Sequence, residues 1–242
     1  MPDYTITNIT FSLLDIIAVV WFLASWMGYS FFADYRKKSK ARTLVKVMYQ
    51  HRLNWMLEMM KRDNRMVDAK VASNVMGSVT FFASTSMFLL AGLLTLLGRS
   101  AEGMALLQTL SFTAVTSTQL WEMKIILLMV IFTYSFFKHT WAIRQFNYSS
   151  ILIAGAPVIR EESPLARRYA ERITKILSIA ARNFNSGLRG YYFGLAALTW
   201  MIHPVLFMIC SSWVVVVLFR REIRSRVLKI LMSEPFAAEP AI

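Results

Sequence analysis

Four ionisable side chains fall where a bilayer makes charge costly: Lys138, His139, Arg144 and His203. Ionisable groups at membrane depth are used, paired or led out to the interface, so all four are candidates for a pore or polar network. His203 is the deepest, near the middle of a run without formal charge from Tyr191 to Phe219. An imidazole there suits a proton relay or a metal ligand. It also precedes Pro204, whose missing N–H frees a backbone carbonyl that a polar side chain can serve, and this structural role is the favoured one. Lys138 and Arg144 bracket His139 at the expected cytoplasmic boundary. Both could grip phospholipid headgroups or line an anion path, although stems that snorkel to the interface would use the same residues.

A second group, Arg62, Arg65 and Asp68, has the composition of an ion-pair network, with Arg189 or Glu222 as further partners. Charged pairs at helix ends hold elements together more often than they react, so a clamp is expected here. Arg168, Arg172, Lys175 and Arg182 fall on one side of a helix and form a basic surface. Glu171 is placed to support Lys175, and Glu58 to support Arg62, at i,i+4. Asp15 is expected at an interface.

Other chemistry finds little footing. Three histidines and one cysteine, Cys210, offer no metal-ligand spacing and no intrachain disulfide, and bis-histidine haem would need His139 and His203 at one depth. The 15 methionines read as core and interface filler. No Gly-rich phosphate loop, G-x-S-x-G elbow or His/Asp nucleophile system is present, so no cofactor or metal is expected.

The elements that carry these residues are membrane helices. The chain has 242 residues, is 56% hydrophobic and has a mean hydropathy of +0.46. Val71 to Gly98 contains no charge, and as a helix it would reach about 40 Å, enough to cross a bilayer with tilt. The expected fold is an all-α polytopic membrane protein, a single domain over 1–242. Its four spans are expected near 11–33, 71–98, 120–143 and 191–219, with basic amphipathic cytoplasmic helices in 34–70 and 144–190. The first run, lacking a basic leader and a small-residue cleavage site, is expected to be retained. The third run offers few uncharged residues between Lys124 and Lys138 and must recruit one of those lysines. Residues 99–124 suit a surface-lying or re-entrant element. Ser163-Pro164 has the form of a helix start, and Gly187 that of a stop.

Basic residues outnumber acids 27 to 14, and they lie between the apolar runs, so the matching partner is an anionic bilayer surface and not nucleic acid. Segments 34–70 and 138–190 hold 11 and 9 Lys/Arg, whereas the N-terminus, the 98–124 connection and the tail hold 0, 2 and 5. Four full spans then put both termini outside the cytoplasm. The basic tail argues against this. A fourth segment folded back at His203-Pro204 would gather 25 of the basic residues on one side, but its halves are short for separate crossings.

Several motifs are spread along the chain: Trp26-x-Gly28-Tyr29, then Arg62-Asp63-x-Arg65-Met66-Val67-Asp68, then Phe82-Ala83-Ser84-Thr85. Phe136-Phe137-Lys138-x-x-Trp141-x-x-Arg144-Gln145-x-Asn147-Tyr148 follows, then Arg189-x-Tyr191-Tyr192, Trp200-x-x-His203-Pro204 and Arg220-Arg221-Glu222. With these the chain resembles, over nearly its whole length, a bacterial family of integral membrane proteins, domain of unknown function 599. The resemblance implies a bacterial inner-membrane protein and supplies no activity.

Small-residue pairs Ala24/Gly28, Ser73/Gly77 and Gly190/Gly194 exceed what one small bundle needs, so a homo-oligomer is expected. The leading expectation for function is a non-enzymatic channel or transporter whose basic vestibule favours small anions. A scaffold gripping anionic headgroups or a soluble partner is the alternative. A membrane enzyme, needing acids gathered around His139 or His203, comes third.

Overall fold

The computed structural model describes residues 12–38, 44–108, 117–161, 163–223 and 226–233. Among these the chain is helical and without strands: α1 (Leu13–Lys38), α2 (Leu44–Met60), α3 (Met66–Gly98), α4 (Ser100–Gln108), α5 (Thr118–Ala154), α6 (Pro164–Leu198), a 3-10 turn (Thr199–Met201), α7 (Pro204–Ile223) and α8 (Arg226–Ser233). Four segments are long and apolar enough to cross a membrane: Leu13–Ala33, Met66–Gly98, Thr118–Ala154 and Pro204–Leu231. Helix is the form in which such segments satisfy their own backbone. Hydroxyls inside them bond back to the preceding turn, as Thr85 does to Phe81 (2.8 Å), Ser135 to Ile131 (3.0 Å) and Ser211 to Phe207 (2.6 Å).

α5 and α6 form the spine, antiparallel along their full length. Tyr169 donates to the Leu152 carbonyl and Asn183 to the Gln145 side chain, and the Lys124 ammonium stands 5.5 Å over the Trp200 ring. Three glycines of α6 allow this approach. A Cβ on Gly187 would lie 2.4 Å from His139 Nε2, one on Gly190 2.1 Å from Ser135 Oγ, and one on Gly194 2.9 Å from Phe132. Gly187 therefore does not stop the helix, as its sequence position suggested; it lets α6 run on beneath a ring of α5.

α3 flanks the pair, where Tyr191 donates to the Phe82 carbonyl at 2.7 Å. α1 lies on the other side, with Trp26 against Tyr134 and Phe193, and Phe22 against Phe207. Two buried clusters result. One, around Phe22, Ile131, Phe193 and Phe207, fills the apolar layer; the other, around Met56, Met59, Ile153 and Ile173, joins α2 to the ends of α5 and α6.

The segment 191–219, expected as one kinked span, is divided. Residues up to Leu198 end α6, the 3-10 turn follows, and α7 starts afresh at Pro204. Trp200 stacks on Phe207, and Arg221 donates to the Tyr192 hydroxyl, so α7 returns alongside α6 as a hairpin. Pro204 cannot donate the bond a continuous helix needs, and at the first position of α7 it has no bond to lose. α8 thus lies on the side that carries α2 and packs on it, rather than opposite it. That side, here the basic face, gathers most of the Lys/Arg among the described residues. The third span is likewise longer than 120–143, because α5 continues without a break to Ala154, and Gly155 receives its cap.

Candidate functional site

At the basic face a half-open cavity of about 270 Å³ lies between α1, α2, α6 and α7. Its construction follows from helical periodicity. Ser178, Ala181, Arg182, Asn185, Leu188, Arg189 and Tyr192 recur at three- and four-residue steps and form one face of α6. Leu44, Val45, Met48 and Arg52 do the same on α2. α7 contributes Leu218, Arg221 and Glu222 as it ends, and α1 contributes Tyr29.

Among the described residues, four guanidiniums, Arg52, Arg182, Arg189 and Arg221, therefore line the cavity with one carboxylate, Glu222. Among the described residues, the hydrogen bonds three of them donate go to hydroxyls. Arg189 donates to Ser186 Oγ (2.8 Å), Arg221 to Tyr192 Oη (3.1 Å) and, at a long 3.5 Å, Arg52 to Ser178 Oγ. A hydroxyl uses one of the five guanidinium N–H groups and neutralises no charge. Burial pulls the Arg52 guanidinium below its ordinary value, as expected of a cation held in low dielectric without an acid. Glu222 Oε2 accepts from the Tyr29 hydroxyl at 2.7 Å. The site is thus a concave, cationic surface whose unspent N–H donors suit a phosphate or another oxyanion.

The other expected residues fall elsewhere. His203 is not mid-span. It sits at the turn of the hairpin, where its Nδ1 accepts from the Val205 N–H at 3.1 Å and caps α7. His139 is fully buried between Phe82, Phe184 and Tyr191, with neither ring nitrogen hydrogen-bonded. Lys138 lies 5.5 Å over the Tyr134 ring, and exposed Arg144 lies 5.4 Å over Trp141, each one turn away on the same helix. Asp15 is buried at the far end of α1 and accepts from Trp200 Nε1 at 2.8 Å.

The expected ion-pair network is partly assembled. Asp68, fully buried, accepts from Trp55 Nε1 (2.6 Å) and Arg62 (3.1 Å). Arg65 reaches the carbonyls of Ile153, Ala156 and Pro157 and closes the end of α5. Arg189 and Glu222 do not join them, because the faces of α6 and α7 that carry them turn to the cavity. Glu58 pairs with Lys61 (2.7 Å) instead of Arg62, which Asp68 has taken, and Glu171 pairs with Arg167 (3.5 Å) instead of Lys175. Arg168, Arg172 and Lys175 are exposed, and Arg182 alone of that surface lines the cavity. Gly190 and Gly194 pack α6 on α5, whereas Ala24, Gly28, Ser73 and Gly77 are exposed and nothing lies within 4 Å of where a Cβ would stand on either glycine.

Sequence reasoning singled out Arg182, Arg189 and Glu222 for other roles and missed Arg52, Arg221, Tyr29 and Tyr192 as cavity residues. The signal was that Arg52 interrupts an apolar stripe, falling at i,i+4 between Met48 and Met56. The profile of the family described as Protein of unknown function, DUF599, matches residues 17–227, and the chain belongs to that family. No curated protein and no solved structure matches it.

Proposed function

We propose that this chain is a non-enzymatic membrane-embedded binding protein whose arginine cavity holds a phosphate-bearing headgroup at the cytoplasmic surface. One observation carries the reading: four arginines from three helices converge on one concavity, and those with partners are served by hydroxyls. Like charges gathered at a half-buried site repel one another, and an oxyanion removes that penalty while taking up the free donors. The setting is a bacterial inner membrane with the basic face toward the cytoplasm, supported by the 25 to 2 division of Lys/Arg. Self-association through the exposed Ala24/Gly28 and Ser73/Gly77 faces belongs to the same proposal.

The test is titration of the purified full-length chain with short-chain anionic phospholipids and with inorganic phosphate, comparing wild type, Arg189→Gln and Arg221→Gln. Each lost charge-assisted contact is worth about 1.5–3 kcal/mol, so affinity should fall roughly 10- to 100-fold. Phosphate alone binding as well as the lipids would make the ligand a solute. Unchanged affinity in both variants would overturn the assignment.

Transport of small anions is the second reading, favoured by the cavity facing the compartment from which anions would enter. Within one copy, fully buried Phe22, Phe193 and Phe207 fill the layer above the cavity. A path would have to open there or run between copies, and anion flux in liposomes that Arg189→Gln abolishes would support it.

A further inference from the structure

Among the described residues the cavity holds four arginines and one acid. Among the described residues Glu222 forms no ion pair with Arg52, Arg182, Arg189 or Arg221; its hydrogen bond comes from Tyr29, on the α1 side. Arg221 is its sequence neighbour, and successive residues point about 100° apart on a helix. The end of α7 thus sends opposite charges to different parts of one cavity, the guanidinium toward Tyr192 and the carboxylate toward Tyr29. A carboxylate serving as the built-in counter-ion would bridge to a guanidinium, the stronger contact. Turned toward Tyr29 and away from the guanidinium of its neighbour, Glu222 is placed to receive a cation.

Resting on the headgroup reading above, we infer that the cavity selects a zwitterionic ligand, an aminoalkyl phosphate, with the phosphate on Arg189 and Arg221 and the ammonium on Glu222. The volume agrees. A phosphate joined to a two-carbon amine, roughly eight heavy atoms, fits within about 270 Å³. Acyl chains, where present, remain outside along the apolar wall that includes Leu188 and Leu218. Tyr29 is a positioning residue, acting through Glu222.

The experiment titrates the full chain in maltoside micelles with three ligands: dihexanoyl phosphatidylethanolamine, the same lipid N-acetylated, and water-soluble glycerophosphoethanolamine. The wild type should prefer the free amine to its N-acetyl form about tenfold. Glu222→Gln should erase that preference by weakening only the amine forms, and Glu222→Asp should keep most of it. Tyr29→Phe should reduce it part way. Gel-filtration profiles confirm folding of each variant. If Glu222→Gln tightens all three ligands alike, the carboxylate is an internal counter-ion and the inference fails while the headgroup site stands. If no ligand responds to Arg189→Gln, the headgroup site fails first. Glycerophosphoethanolamine binding as well as the dihexanoyl lipid would assign the same headgroup chemistry to a soluble source; weaker binding would assign it to a membrane lipid.

Discussion

Gly187→Ala tests the packing that sets α6 against α5 and so aims the arginine face at its cavity. The added methyl would stand 2.4 Å from His139 Nε2 and 2.7 Å from both Cδ2 and Cε1. The ring cannot swing aside freely, because it is fully buried and walled by Phe82, Phe184 and Tyr191 at centroid distances of 5.6 to 5.7 Å. Alanine is about 1 kcal/mol the better helix former, and overpacking a filled core costs typically 1–3 kcal/mol. With three ring atoms under 3 Å the cost lies toward the upper end, for a net loss of about 1–2 kcal/mol. In a His139→Ala background the obstruction is gone and only the propensity gain remains, so the same substitution should stabilise by up to about 1 kcal/mol. The double-mutant cycle should therefore show a coupling of about 2–3 kcal/mol. Equilibrium unfolding of the four proteins in mixed micelles measures it. An equal loss from Gly187→Ala with and without His139 would refute the close contact and the helix register it implies.

Trp55→Phe should cost about 1–3 kcal/mol, because buried Asp68 loses its shortest donor while its Oδ2 already lacks a partner; an unchanged melting temperature would contradict that bond. His203→Ala should cost about 0.5–2 kcal/mol through the lost cap of α7, and His203→Asn should recover most of it, since asparagine caps well. Equal losses from both would mean that the ring acts by some route other than capping. For topology, cysteines replacing Lys61 and Lys229 in a Cys210→Ser background should react with an impermeant thiol reagent from one side of the membrane, and one replacing Glu102 from the other. Labelling of positions 61 and 229 from opposite sides would restore a continuous fourth span.

Much of this protein is legible without coordinates. Uncharged runs longer than a bilayer is thick have few stable forms besides helix, so 71–98 declares itself. The caps at Ser163-Pro164 are local chemistry and behave as read: Ser163 accepts from the Ala166 N–H. The clamp at Arg62 and Asp68 is also local, within one turn and its approach. What only tertiary structure decides is how distant faces meet. Whether His203-Pro204 kinks a helix or ends it depends on α1 and the 3-10 turn offering the returning segment something to pack on, which Phe22 and Trp200 supply through Phe207. Gly187 reads as a stop until His139 is found above it. The cavity draws on residues from Tyr29 to Glu222, across most of the chain, and no window of sequence contains two of its walls. Periodicity tells which side chains share a helix face; only the packing of four helices tells which faces enclose a common space, and so where the uncompensated charge of the arginines is gathered.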